Sequence, residues 1–80
     1  MAPRFQKGLE VKVECYAGGS WCDHPVSVEL NGRRLTVREW LPASAEPDRM
    51  TFIVVLEDGR RFKLIYNRRD EIWTAEPLAG

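Results

Sequence analysis

Apolar and charged residues alternate at the start of the chain, and this pattern predicts a β-strand over Leu9–Tyr16. Successive side chains of a strand point to opposite faces, so a period of two indicates one buried and one solvated face. We expect the apolar members of this strand to point inward: Leu9, Val11, Val13 and Cys15.

Asn31 and Gly32 separate two further strand-like runs, residues 26–30 and 33–38. An Asn-Gly pair supplies the two positive-φ positions of a type I′ turn, so this segment predicts a β-hairpin. With these two residues as the loop, Glu29 lies opposite Arg34, Val28 opposite Leu35, and Val26 opposite Val37. This register pairs apolar with apolar residues and acid with base.

Asp58 and Gly59 repeat the hairpin signal between residues 50–56 and 60–66. With a two-residue loop, Val55 lies opposite Phe62 and Ile53 opposite Leu64. Residues 41–49 carry two prolines and little apolar surface, so we interpret them as a connecting loop. A polar turn at residues 67–70 precedes a last strand over 71–76.

Six short strands without a helical period predict an all-β fold, a six-stranded antiparallel meander curled into a small half-open or closed barrel. We assign residues 1–8 to a flexible N-terminal tail, 9–76 to a single domain and 77–80 to a C-terminal tail.

Charge and hydropathy exclude several classes of protein. Twelve basic and twelve acidic residues give a net charge of zero, so the excess charge of a wholly basic polyanion binder is missing. Five basic residues fall between positions 60 and 69, however, which leaves room for a local basic patch.

The longest apolar run, residues 52–56, is far short of the roughly 20 residues of a membrane span. No secretory signal is recognisable, so we expect a cytoplasmic location and no membrane partner.

The candidate chemistry in the sequence is sparse. We interpret Cys15 and Cys22 as free thiols, because cytosolic thiols stay reduced. With Asp23 and His24 they form the only metal-like cluster, but the spacing does not match a structural zinc site, so we expect no metal and no cofactor. A single histidine without an orienting partner gives no catalytic constellation, so we expect neither an enzyme nor a small-molecule substrate.

Two sets of residues are candidate binding sites. Trp21 lies in a loop without alternation, where it is equally an interface anchor or a lid folded over the barrel end, and Trp40 ends the third strand. The alternative set consists of Arg34, Arg38 and Trp40, expected in one solvent-facing row of that strand, together with Lys63. Arginines beside an aromatic ring can hold phosphates and stack a base.

The chain resembles a group of small bacterial all-β proteins of unknown function, similar to a C-terminal appendage of Y-family-polymerase-like proteins. The resemblance covers most of the domain and is carried by Cys15-Tyr16-Ala17-Gly18, Pro25, Leu30-Asn31-Gly32-Arg33-Arg34, Asp58-Gly59-Arg60-Arg61-Phe62-Lys63-Leu64 and Asp70-Glu71-Ile72-Trp73. It implies a shared fold and supplies no catalytic residues.

We therefore expect a small binding or accessory module that mediates protein-protein interaction through a sheet edge and loop aromatics, Trp21 and Trp40. The alternative is a nucleic-acid-binding accessory domain that uses Arg34, Arg38, Lys63 and Trp40. Binding to nucleic acid would weaken steeply with salt, which distinguishes the two hypotheses.

Overall fold

A computed structural model describes residues 9–16 and 22–78 of the chain. The proposed N-terminal tail, Trp21 and the last two residues lie outside the described residues. Within these two ranges six strands follow one another: β1 (Leu9–Tyr16), β2 (His24–Leu30), β3 (Arg33–Glu46), β4 (Arg49–Leu56), β5 (Arg61–Asn67) and β6 (Ile72–Pro77). Every neighbouring pair is antiparallel, which confirms the predicted all-β meander.

The meander closes into a barrel because β1 pairs with both β2 and β6. Residues Leu9 to Val11 pair with Ala75 to Trp73 of β6, and the rest of β1 pairs with β2. The barrel is thus closed, one of the two forms expected from the sequence, and the first and last strands are not open edges along the paired residues.

Strand β3 also changes partner along its length. Its first residues pair with β2 up to Ser27 and Thr36, and from Val37 onward it pairs with β4. At the crossover, the Thr36 N–H donates to the Glu57 carboxylate and the Thr36 carbonyl accepts from the Glu57 N–H, at 2.7 and 2.8 Å. The predicted pairing of Val26 with Val37 is wrong, because Val37 pairs with Leu56 of β4.

The Asn31-Gly32 hairpin is confirmed. Both residues have positive φ, 50° and 81°, and the pairs Val28 with Leu35 and Glu29 with Arg34 form as expected. The local turn preference and the apolar pattern agree here, so the register follows from the sequence alone.

The predicted loop over residues 41–49 is wrong. These residues continue β3 to Glu46, turn at Pro47 and Asp48, and begin β4 at Arg49. Pro42 is tolerated because β3 has a described neighbouring strand on only one side here, and proline is compatible with such an edge position.

The hairpin between β4 and β5 forms one residue away from the predicted register. Leu56 N–H donates to the Arg60 carbonyl and Gly59 N–H to the Leu56 carbonyl, both at 2.8 Å, and Gly59 has a φ of 91°. These bonds define a three-residue loop that ends in a left-handed glycine. Phe62 therefore lies opposite Val54, and the predicted pairs with Val55 and Ile53 are wrong.

The core fills the barrel with side chains from all six strands. Its buried apolar residues are Val11, Cys22, Val28, Leu30, Leu35, Phe52, Val54, Leu56, Phe62, Leu64, Trp73 and Ala75. Val13 and Cys15 pack against this cluster, whereas Leu9 is exposed at the barrel end, contrary to the expectation that it points inward.

The prediction of free thiols is wrong, because Cys15 and Cys22 form a disulfide. Their Cα atoms lie 5.4 Å apart, within the range that a disulfide spans, and Cys22 is only 4% exposed. The bond ties the end of β1 to Cys22, two positions before the start of β2, across seven positions of sequence.

Candidate functional site: the outer face of β3, β4 and β5

Strand β4 is apolar on both of its faces. Phe52, Val54 and Leu56 point into the barrel and are buried, whereas Ile53 and Val55 point outward and are half-buried. Strands that are apolar on both faces are typical of sheets covered on both sides. Among the described residues, no strand or helix covers the outer face of β4.

The neighbours of Ile53 and Val55 follow from the register, because paired residues share a face of the sheet. Val55 lies between Glu39 of β3 and Arg61 of β5. In the next row Ile53 lies between Leu41 and Lys63. We call Glu39, Leu41, Ile53, Val55 and Arg61 the β4 patch.

The β4 patch is concave and mostly apolar at its floor. Its five residues and Trp40 line a hollow of about 290 Å³. Leu41 is 61% exposed on this outer face. Contiguous exposed apolar surface with a charged border is typical of an interaction site.

Charged side chains border the hollow on both sides. Within the described residues, Glu39, Arg61 and Lys63 form no ion pair. Other charges are paired: Arg49 lies 3.0 Å from Glu46, and Arg60 lies 2.8 Å from Asp58. The β4 patch therefore has an acidic border on β3 and a basic border on β5.

Trp40 does not continue the row of Arg34, Thr36 and Arg38. A bulge between Val37 and Glu39 shifts the alternation, so Trp40 shares the inner face with its partner Val54. Its ring stacks on His24 at a centroid distance of 4.5 Å and meets Phe52 edge-on at 6.3 Å. The expected solvent-facing row of arginines ending in a tryptophan is therefore not formed.

The remaining residues of the predicted nucleic-acid site lie on different surfaces. Arg34 is on the β2–β3 part of the barrel, opposite Glu29, and its guanidinium lies 3.6 Å from the Glu14 carboxylate. Arg38 is exposed at the bulge, and Lys63 points outward from β5 beside Ile53. The register thus separates Arg34 from Lys63 and places carboxylates beside Arg34.

His24 is held in the aromatic stack next to the disulfide. Its ring lies between Tyr16, at 5.4 Å, and Trp40. The Nδ1 atom is buried without a hydrogen bond, and the nearest carboxylate oxygen, from Asp23, is 3.6 Å away. Cys15 and Cys22 are engaged with each other, and the described residues contain no group of three metal-ligating side chains.

The outer edge of β3 beyond Thr36 faces no strand in the described part of the chain. Two bulges, between Val37 and Glu39 and between Pro42 and Ser44, interrupt this edge, and Pro42 lacks a backbone N–H. Bulges and prolines are devices that prevent strand addition at an edge. Side chains of the β4 patch therefore offer a better interface than the backbone of this edge.

Reasoning from the sequence missed Leu41, Ile53, Val55 and Arg61 as site residues. The loop predicted over residues 41–49 includes Leu41, and the predicted register places Val55 opposite Phe62 and Ile53 opposite Leu64. One signal was present in the sequence: the unbroken apolar run of residues 52–56, which a strand with one solvated face does not need.

Comparison of the chain with protein-family models, with curated proteins and with solved structures finds no match. The described residues include no helix that is long and apolar enough to cross a membrane.

Proposed function

We propose that this protein is a protein-interaction module that binds its partner through the β4 patch. The observation that carries the proposal is the outward-facing apolar surface of β4, Ile53 and Val55, beside the exposed Leu41. A partner that covers this surface removes apolar area from water, which is the main favourable contribution in most protein association.

The composition of the β4 patch supports a protein partner over nucleic acid. An apolar centre with a polar, charged border is the usual arrangement of a protein-protein interface. Nucleic-acid sites instead need several cations directed at phosphates. Of the four residues expected for such a site, Arg34 lies beside Glu14 and Trp40 is stacked on His24, so neither observation favours that alternative.

Site-specific photo-crosslinking in the cells that produce the protein tests the proposal. A photoreactive phenylalanine analogue is placed at Leu41 in the β4 patch and, as a matched control, at Glu29, which is exposed on the outer face of β2. We expect discrete protein adducts from position 41 and none from position 29. The position-41 adducts should disappear when Val55→Lys is added, because a charge then lies on the apolar floor.

Three results would overturn the proposal. These are equal adducts from both positions, adducts that survive Val55→Lys in a chain that circular dichroism shows to be folded, and adducts of position 41 to nucleic acid. Oligonucleotide binding that weakens steeply with salt would support the same conclusion as the last result, which is that the partner is a nucleic acid.

A further inference from the structure

We infer that the partner covering the β4 patch is a second copy of this chain, related by a two-fold axis that runs along β4. The inference rests on the proposed function and names its partner. It is argued from the order of charges across the sheet and from the size of the apolar face.

Three adjacent strands carry, in one row, an acid, an apolar residue and a base: Glu39, Val55 and Arg61. A two-fold axis along β4, lying between two sheets packed face to face, exchanges the β3 side of one copy with the β5 side of the other. Each Glu39 then lies over the Arg61 of the other copy, and Val55 lies over Val55. The row is therefore complementary to itself, as a two-fold interface requires.

A two-fold axis across the strands gives a worse match. This axis places β3 of one copy over β3 of the other, and β5 over β5. The two Glu39 carboxylates then come together at one side of the interface. At the other side the basic residues of β5, Arg61 and Lys63, face the same basic residues of the second copy. Like charges brought together in an interface are unfavourable. Among the described residues, no ion pair engages Glu39, Arg61 or Lys63. Their charges therefore favour the axis along β4 over the axis across the strands.

The second row fits the same axis. Leu41, 61% exposed on β3, comes over the aliphatic stem of Lys63, whose charged end can remain in water. Ile53 comes over Ile53. The apolar centre of both rows is thus covered without burying an unpaired charge.

The size of the face predicts a weak dimer. A face that is three strands wide, with the strands about 4.8 Å apart, and about six residues long presents roughly 300 Å² per copy. Stable complexes bury about 800 Å² per partner. We therefore expect reversible, concentration-dependent association rather than a permanent dimer.

Sedimentation velocity of the purified full chain over a wide concentration range tests the inference. The variants are Glu39→Arg, Arg61→Glu and the double exchange of both residues. Glu29→Arg and Lys12→Glu, a cross-strand pair exposed on the opposite part of the barrel, are the matched controls. Circular dichroism of each variant confirms folding.

We expect the wild type to form dimers at high concentration, and each single reversal in the β4 patch to weaken dimerisation at least about 10-fold, because two like-charge contacts replace two attractive ones. The double exchange should restore the association to within about 3-fold of wild type. The two control variants should dimerise as the wild type does.

A folded wild type that stays monomeric at every concentration would overturn the inference. A dimer that resists the reversals, or that the double exchange fails to restore, would do the same. The proposed function would still stand in those cases if position 41 crosslinks a different protein and Val55→Lys abolishes that adduct. The proposed function would fall together with the inference if position 41 forms no specific protein adduct, or if its adducts equal those of position 29 or survive Val55→Lys in a folded chain.

Discussion

Alanine substitutions at two adjacent valines test the register on which the β4 patch depends. Val54 is 0% exposed and points into the barrel, whereas Val55 is half-buried on the outer face. Val→Ala removes about two methylene equivalents, about 1.6 kcal/mol of transfer free energy, and the cavity left inside a packed core adds to this cost. Val54→Ala should therefore lower the free energy of unfolding by about 2–3 kcal/mol.

Val55→Ala should cost less than about 1 kcal/mol, because much of its side chain is exposed and no cavity forms. Both substitutions lose the same β-propensity, so the difference between them isolates burial. For a domain of 80 residues this difference corresponds to roughly 5–15 °C in Tm.

The assay is urea unfolding followed by tryptophan fluorescence, at a protein concentration low enough to disfavour the proposed association. Val28→Ala, in a residue that is 1% exposed on β2, serves as the core control and should resemble Val54→Ala. If Val55→Ala cost as much as Val54→Ala or more, Val55 would face the core opposite Phe62. The β4 patch would then not exist, and the proposed interface would be refuted.

Three further predictions concern the disulfide and the hairpin loops. Reducing the bond between Cys15 and Cys22 opens a loop of about eight residues, so a dithiol reductant should lower the free energy of unfolding by about 2.5 kcal/mol, measured by urea unfolding. Gly59→Ala should cost about 1 kcal/mol or more in the same assay, because the residue has a φ of 91° although no atom would contact the new Cβ. The pKa of Asp58 is lowered mainly by the hydrogen bond that the Arg60 N–H donates to its carboxylate. A lowered folded-state pKa contributes stability above the unfolded-state pKa, and this contribution is lost as the pH falls through the folded-state pKa. Asp58→Asn should therefore flatten the acid side of the curve of stability against pH.

Each of these has an outcome that contradicts it. Two titratable thiols in the protein purified without reductant would disprove the disulfide, and a Cys15→Ala, Cys22→Ala variant should be insensitive to the reductant. An unchanged urea midpoint for Gly59→Ala would contradict the three-residue loop. An acid limb that Asp58→Asn leaves unaltered would mean that the hydrogen bond from Arg60 does not form in solution.

The disulfide shows why distance in the fold cannot be obtained from spacing along the chain. Cys15 and Cys22 are separated by seven positions, and nothing in that spacing requires or forbids a bond. The closed geometry between the end of β1 and the start of β2 brings their Cα atoms to 5.4 Å, where a disulfide can form. The prediction that Cys15 and Cys22 are free thiols depends on the redox conditions of the expected compartment. Those conditions say nothing about the distance between the two cysteines in the fold.

Strand β3 shows the same limit at a larger scale. Pro42 and the small residues after it carry no local strand signal, so the segment resembled a loop. Strand β4 supplies its pairing partners from beyond the turn at Pro47 and Asp48, and the extended conformation follows from that pairing. The bulge between Val37 and Glu39 also lies in the pairing of β3 with β4. Because of this bulge, Trp40 lies on the inner face of β3 and not in the solvent-facing row expected with Arg34 and Arg38.

By itself the sequence determined the number of strands, their antiparallel order and the Asn31-Gly32 hairpin. Each depends on local properties, which are a period of two in apolar residues and two positions that tolerate positive φ. The register of β4 against β5 was decided only by the tertiary structure. Because residues 52–56 are all apolar, either face of β4 could point inward. Packing of Phe52, Val54 and Leu56 with Phe62 and Leu64 inside a closed barrel selects one register, and that selection leaves Ile53 and Val55 on the outer face, where we propose that a partner binds.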